Sequence, residues 1–333
     1  MNGRPGRPSW WIGVGAAVGA AMLFVAIRQV DWRAVGGAIA GVSAGWVLAA
    51  MFATGLAQAL FALRWYVIVG RVHRMTFADS FDFLAIGALA GLVLPPRLSD
   101  VARAIAAGRY HATSATGLLG TIVIERLLDV LMLVGFGTFV SALMDVPPAV
   151  TGSLLTLFGI VAVVAVLLWI GHRGPLGAVA RWVVSWRRPE SRLAVMSDRF
   201  FAGTGVIREK AMMPQALAIT LAAWISAALA ASATMRAFEV AAPWHAGAFT
   251  IVIINLAGIL PAPPAGIGVY HYAAMVGVSP WLADPSRGFA FALISHALSV
   301  AVVLVIGTWS LARKGLSVRA LRRMAHERAE ETT

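Results

Sequence analysis

The chain has 333 residues, 59% of them hydrophobic and only 13% charged, with a mean hydropathy of +0.80. That composition excludes an ordinary soluble domain and indicates a polytopic membrane protein. The formal charge is +12 and cysteine is absent, which rules out disulfides and thiolate metal sites; no metal, cofactor or nucleic-acid partner is expected.

A bilayer core of about 30 Å needs roughly 20 apolar residues per helix, and several such runs follow one another with short connections. Arg4 and Arg7 precede the first, Trp10 to Ile27, which is long enough to be an uncleaved span rather than a signal peptide. Gly15 and Gly19 give it a small-xxx-small face, fit for close approach of another helix or simply tolerated in a membrane helix. Arg28 to Ala40 reads as interfacial, anchored by Trp32. A second span, Ser43 to Leu63, ends on Arg64 and Trp65, and with Arg71 and Arg74 beyond, that end is expected in the cytoplasm.

Thr76 to Leu94 is apolar but holds Asp79 and Asp82 and runs into Pro95-Pro96, which blocks a continuing helix. Leu98 to Tyr110 follows, with Ser99 as its expected N-cap and Asp100 in its first turn. A long helix is predicted from Ala115 to Met144 after a turn at His111 to Ser114, then a span from Thr151 to Ile170. His172 to Met213 is strongly basic, with Trp182 and Trp186 at helical spacing. It either fixes topology or lies on anionic membrane lipids. Pro214 to Met235 is the next span. Ala246 to Leu260 is broken by PAPPAGIG and resumes as Val269 to Val278, and Gly288 to Leu311 is the last span.

If Thr76 to Leu94 crossed completely, the basic stretch would face outward. A hairpin that enters and returns removes the conflict, and the same reasoning applies to Ala246 to Val278 from the opposite side. Ala90-Gly91-Leu92-Val93-Leu94-Pro95 also resembles Ala257-Gly258-Ile259-Leu260-Pro261. The predicted fold class is therefore all-α and polytopic: about six full spans plus two broken re-entrant hairpins in an inverted-topology repeat. Residues 1–333 form a single membrane domain, with repeat halves 43–144 and 214–311, a cytoplasmic connection 172–213 and a cytoplasmic tail 313–333. Both termini are expected in the cytoplasm of a bacterial-type inner membrane.

Ionisable residues inside a membrane are costly and point to function. Arg97, Asp100 and Arg103 are spaced by three; Glu125 and Asp129 lie four apart on one face of the next helix, and Arg126 can reach Asp129 at three. Guanidinium groups near a helix start suit a phosphate. A self-neutralising network that holds hairpin to helix is the competing and compatible reading. On the second hairpin, Asn255, Pro264, Gly266 and Gly268 would expose backbone groups. Asp82, His271 and His296 are candidates for proton coupling, against hydrogen-bonded imidazoles of no further role.

LPPRLSDVARA, IERLLDVLML and NLAGILPAPPAGIGVYH together resemble the lysylphosphatidylglycerol synthase transmembrane-region family, also called flippase-like, from about Arg64 to Leu311. The family pattern is similar to Pro-Gly-Arg-x-Gly-Glu-x-x-Arg; here Pro96 and Ser99 replace the glycines and Asp100 the glutamate. In the second motif Ala265 replaces a glycine and His271 stands where glutamate is expected. The resemblance implies movement of a lipid between leaflets, with Arg97, Arg103 and Arg126 receiving phosphate and Asp100, Glu125 and Asp129 holding the arginines or meeting a cationic headgroup. The expected partner is a phospholipid or a polyprenyl (isoprenoid)-linked lipid, and a homodimer is admitted. The alternatives are a transferase acting on a lipid-linked donor, disfavoured because the chain stops at Thr333 without the soluble domain that aminoacyl transfer needs in the family, and a non-transporting accessory subunit.

Overall fold

The computed structural model describes residues 10–94, 96–173, 192–209 and 211–316. Among these there are helices and connecting turns, and no strand. The helices are α1 (Trp10–Ile27), α2 (Trp32–Ala40), α3 (Ala44–Val69), α4 (Phe77–Gly91), α5 (Pro96–Tyr110), α6 (Ala115–Ser141), α7 (Pro148–Arg173), α8 (Arg192–Thr204), α9 (Met212–Ala237), α10 (Ala246–Ala257), α11 (Val269–Val278) and α12 (Pro285–Arg313). Four of them, α3, α7, α9 and α12, are long and apolar enough to cross a membrane; α1 and α2, bent by 85° at the break between them, raise the number to five if taken as one.

Local chemistry explains the helix ends. Asp31 caps α2 by accepting from Arg33 N at 2.9 Å, and Ser114 caps α6 by accepting from Gly117 N at 3.3 Å. Thr76 Oγ1 accepts from Asp79 N at 3.0 Å ahead of α4. Pro96, Pro148 and Pro285 open α5, α7 and α12, where the fixed φ of proline suits the first helical position and its missing N–H has no partner to lose. The expected start of α5 at Leu98 is thereby corrected: α4 has already ended at Gly91, Pro96 begins the next helix, and Ser99 lies inside its first turn. Similarly, α3 runs on through Arg64 and Trp65 to Val69, and both side chains are buried, so Arg64 is not an end marker.

The chain falls into two compact units, with α3, α9 and α12 each contributing one part to both. The first comprises Met1–Thr54, Gly91–Leu98 and Ala227–Val302; the second comprises Gly55–Ala90, Ser99–Ser226 and Val303–Thr333. In the first, α10 and α11 fold back on each other, with Thr250 Oγ1 donating to Gly277 O at 2.9 Å. Phe238, Phe289 and Phe291 centre its core. Gly15 and Gly19 do serve close approach, but what they receive is the broken segment between α10 and α11. A Cβ on Gly19 would lie 2.6 Å from Pro263 Cγ and 2.7 Å from Ile267 O.

In the second unit α4 and α5 form an antiparallel pair. A Cβ on Gly87 would sit 2.9 Å from Arg103 Cβ, and the Phe83 and Tyr110 rings lie 5.4 Å apart. Part of the basic stretch is the helix α8, packed on α6 where a Cβ on Gly120 would come within 2.5 Å of Phe200 O. Trp182 and Trp186 lie outside the described residues.

Candidate functional site

Five of the charged residues singled out in the sequence meet in the second unit. Glu125, wholly buried on α6, holds two arginines: its Oε2 accepts from Arg103 Nη2 at 2.5 Å, and its Oε1 from Arg64 Nε and Nη2, each at 3.3 Å. Arg64 also donates from Nη1 to Asp129 Oδ1 at 2.5 Å. Asp129 accepts in turn from Arg126 Nη1 at 3.1 Å. Arg126 then faces Asp100 with two nitrogens, Nε at 3.1 Å and Nη2 at 3.2 Å. Asp100 lies 3.8 Å from Arg103 Nη2, which closes the circuit.

The result is a ring of three arginines and three carboxylates in strict alternation, with no net charge. Its members differ in depth. Side-chain exposure is 0% for Glu125, 2% for Arg64 and 3% for Arg103, but 17% for Asp129, 26% for Asp100 and 55% for Arg126. Sequence spacing explains part of this. Glu125, Arg126 and Asp129 fall within four residues of one helix, so Arg126 reaches Asp129 at i,i+3, and Asp100 and Arg103 are likewise one turn apart on α5.

Aromatic groups support the inner half. The Arg103 guanidinium lies 4.5 Å over the Trp65 ring, whose Nε1 donates to Thr121 Oγ1 at 3.2 Å. Trp224 Nε1 donates to Asp129 Oδ1 at 3.5 Å. A buried ion network is tolerated only when each charge is met by partners and hydrogen bonds. Here one buried donor, Arg103 Nε, has no partner.

Asp82 is engaged elsewhere in the same unit. Its Oδ2 accepts from Arg313 Nη2 at 2.6 Å and Nε at 3.0 Å and lies 3.4 Å from Lys314 Nζ. Lys314 also pairs with Asp79. The side chain of Arg97 lies outside the described residues.

The remaining expected residues belong to the first unit. Between α10 and α11 the backbone enters the left-handed region at Ala265 (φ 57°), Gly266 (φ 68°) and Gly268 (φ 86°). At Gly268 a side chain would strike the Gly19 backbone oxygen, so only glycine fits. Gly268 N donates to His271 Nδ1 at 3.3 Å, His271 Nε2 faces His296 Nδ1 at 3.4 Å, and His296 Nε2 lies 3.0 Å from the Ala265 carbonyl oxygen. All three contacts are satisfied when both rings are neutral and protonated on Nε2. Tyr270 stacks on His296 with centroids 4.6 Å apart. Pro264 opens the short 3₁₀ turn of this loop. Asn255 is exposed and its Nδ2 donates to Ile251 O at 2.9 Å on its own helix.

A model of the lysylphosphatidylglycerol synthase transmembrane region matches residues 10–307. The chain belongs to that family. No curated relative matches it. Family membership and the apolar helices together make the chain a multi-pass membrane protein, in a family linked to lipid modification or transport. Within that family frame, two features of this member were not visible in its motifs. Arg64, read only as an orientation marker, is a buried member of the ring, and the two histidines act on one loop rather than separately. The signal for Arg64 was arithmetic: Glu125 and Asp129 lie on one face with only Arg126 beside them, so another buried cation was needed.

Proposed function

We propose that the chain is a lipid translocase that moves a phosphate-bearing phospholipid or polyprenyl-linked lipid between leaflets. The observation that supports this most directly is the graded ring, and within it the two-nitrogen grip of Arg126 on Asp100. A forked guanidinium–carboxylate contact has the geometry that a guanidinium also offers to phosphate. Asp100 therefore acts as a place-holder. A phosphate oxyanion displaces it from the half-exposed Arg126, while Glu125, Arg64 and Arg103 keep the inner half closed. The exchange substitutes one anionic partner for another and leaves no arginine unpaired. Arg97, on the first turn of α5, would extend the receptor, and Asp100, once freed, would meet a cationic headgroup where the lipid has one.

The same ring supports reading α6 as a further span. Its 27 residues reach about 40 Å at the usual helical rise, and its three charges are neutralised by partners from α3 and α5. With α1, α3, α7, α9 and α12 this makes six full crossings, and the hairpins α4/α5 and α10/α11 become the re-entrant pair of an inverted repeat in one membrane domain, with repeat halves 43–144 and 214–311. On the second hairpin Asn255, Pro264 and Gly266 remain candidates to meet the lipid, whereas Gly268, buried against Gly19 with its amide held by His271, shapes the loop instead. Positive residues beyond α3 and α12 support a cytoplasmic side for those ends, in what this reading takes as a bacterial-type inner membrane. The His271–His296 relay is the proton-sensitive element of this reading. A proton added to either ring turns an acceptor into a donor that faces another donor, which releases Gly268 N or parts the two rings. Asp82, paired with Arg313 and Lys314, is the second candidate for proton coupling.

The test is reconstitution of the purified protein in liposomes carrying headgroup-labelled phospholipid, with bleaching of the outer leaflet. Wild type should make nearly all of the label accessible, and Arg126→Gln should reduce the rate by at least about tenfold, a rise of about 1.4 kcal/mol in the barrier. Equal rates in both would remove the ring from the path. Product formed from a radiolabelled lipid donor with no redistribution between leaflets would establish the transferase instead.

A further inference from the structure

A second feature of the first unit is separate from the broken loop. The N-terminal turns of α3 and the C-terminal turns of α9 border a cleft of about 340 Å³. Ala49, Ala53 and Ala233 lie along it, Trp46 and Trp244 flank it, and Arg236 lines it from the last turn of α9. Ser43 N donates to Ala237 O at 3.0 Å, which ties the start of one helix to the end of the other.

Both helices are long and apolar enough to cross a membrane. The cleft therefore lies where two spans end, at the depth of lipid headgroups and the first methylenes. Tryptophan concentrates at this level because its ring is apolar and its N–H is polar. Trp46 and Trp244 are 47% and 73% exposed, and although the Trp244 ring meets His245 edge-on at 5.6 Å, both rings keep apolar surface turned outward.

Arg236 supplies the second observation. Its side chain is exposed and makes no hydrogen bond or ion pair among the described residues, and Glu239, three residues on and also exposed, forms none with it. The negative end of the α9 dipole suits an arginine here, but the dipole does not account for an apolar cleft with tryptophans on its flanks. The other described cleft of the same unit, about 260 Å³, is lined by both Arg28 and Asp284, one charge of each sign, and so has no preference for an anion.

We propose that the cleft between α3 and α9 is a binding site for one membrane phospholipid. The phosphate rests on Arg236, the glycerol region lies against Trp46 and Trp244, and one acyl chain follows the alanine floor formed by Ala49 and Ala53. Small residues along the floor leave room for the chain, and the guanidinium gives the headgroup a fixed point. This site is independent of the charge ring, and its test reads binding, so its failure and the failure of the translocase reading are separable.

The experiment uses the full-length protein in mixed micelles titrated with phosphatidylglycerol whose acyl chains are brominated, with tryptophan fluorescence as the readout. Wild type should show a saturable quenching component at low lipid mole fraction, and the Trp46→Phe, Trp244→Phe double variant should lose most of its amplitude. Arg236→Gln, a change at an exposed position, should keep the wild-type melting temperature and shift the midpoint at least tenfold to higher lipid. Ala49→Phe, also at an exposed position, should abolish the component by filling the floor. Retention of wild-type saturation in both Arg236→Gln and Ala49→Phe would overturn the site. So would competition by millimolar inorganic phosphate, which would mark a free anion site rather than a lipid site.

Discussion

In the second unit six charged groups are taken out of water by closing on one another, from Glu125 at 0% exposure outward to Arg126 at 55%. In the first unit the buried polar groups are neutral, and one hydrogen bond follows another from Gly268 N through His271 and His296 to Ala265 O. The two devices fail differently. A ring of charges is intolerant, because removal of one member leaves its neighbours charged, buried and short of a partner. A neutral relay loses only the hydrogen bonds removed, and its weak point is the strained backbone that it holds.

The largest expected effect is therefore Glu125→Gln. One carboxylate serves both Arg64 and Arg103, so its loss leaves buried Arg103 with only the distant Asp100 and buried Arg64 with Asp129 alone. Destabilisation of about 3–5 kcal/mol is expected, read as a collapse of the unfolding temperature in detergent. A melting curve equal to wild type would mean that the inner ring is not formed. Arg126→Gln, at the exposed end of the same ring, should cost less than about 1 kcal/mol while slowing the proposed translocation at least about tenfold. That contrast separates depth from function.

Next comes Gly268→Ala in the neutral device. The position has φ 86° and sits on the Gly19 backbone, so a methyl group is both strained and obstructed. About 1–3 kcal/mol is expected from the backbone alone, measured by thermal unfolding. His271→Ala should be milder, about 1–2 kcal/mol for the lost hydrogen bonds, and should raise the exchange rate of the Gly268 amide specifically. An unchanged amide rate would show that His271 does not hold the loop.

How far these devices were legible in the sequence follows from their physics. Helices, breaks and prolines are local, so the breaks between α4 and α5 and between α10 and α11 could be placed from Pro95-Pro96 and from PAPPAGIG. Pairing is not local. Arg64 lies 61 residues from Glu125, and no spacing rule connects them. The end of α3 was misplaced for the same reason: an arginine in an apolar run looks like a boundary unless its buried partners are known. Gly15 and Gly19 announced a close approach, but a small-residue face does not say whether helix or loop will fill it. Arg313 and Lys314 looked like ordinary basic flanks, yet they clamp Asp82 and Asp79 more than 230 residues earlier in the chain.

That clamp gives the smallest effect, and its pH dependence has a definite sign. Burial alone would raise the Asp79 carboxyl, but hydrogen bonds from Lys314 and Thr76 outweigh it and hold the group below its ordinary 3.8. A depressed acid contributes stability that is complete above pH 3.8 and is lost as pH falls through the lower folded value. On Lys314, burial lowers the ammonium, and Asp79 overcomes this and leaves it above 10.5. That contribution is complete below pH 10.5 and is lost as pH rises through the higher folded value. Asp79→Asn removes the acid limb, because Asp79 is itself the titrating group, and weakens the alkaline one, because Asp79 leads Tyr110 and Asp82 among the groups that raise Lys314. In detergent, the wild-type melting temperature should therefore fall more steeply than that of Asp79→Asn both below about pH 4 and above about pH 10, and the two curves should run parallel between. If the curves stay parallel at either extreme, the Asp79–Lys314 pair is open at that extreme, and the clamp rests on Asp82 with Arg313 and Lys314.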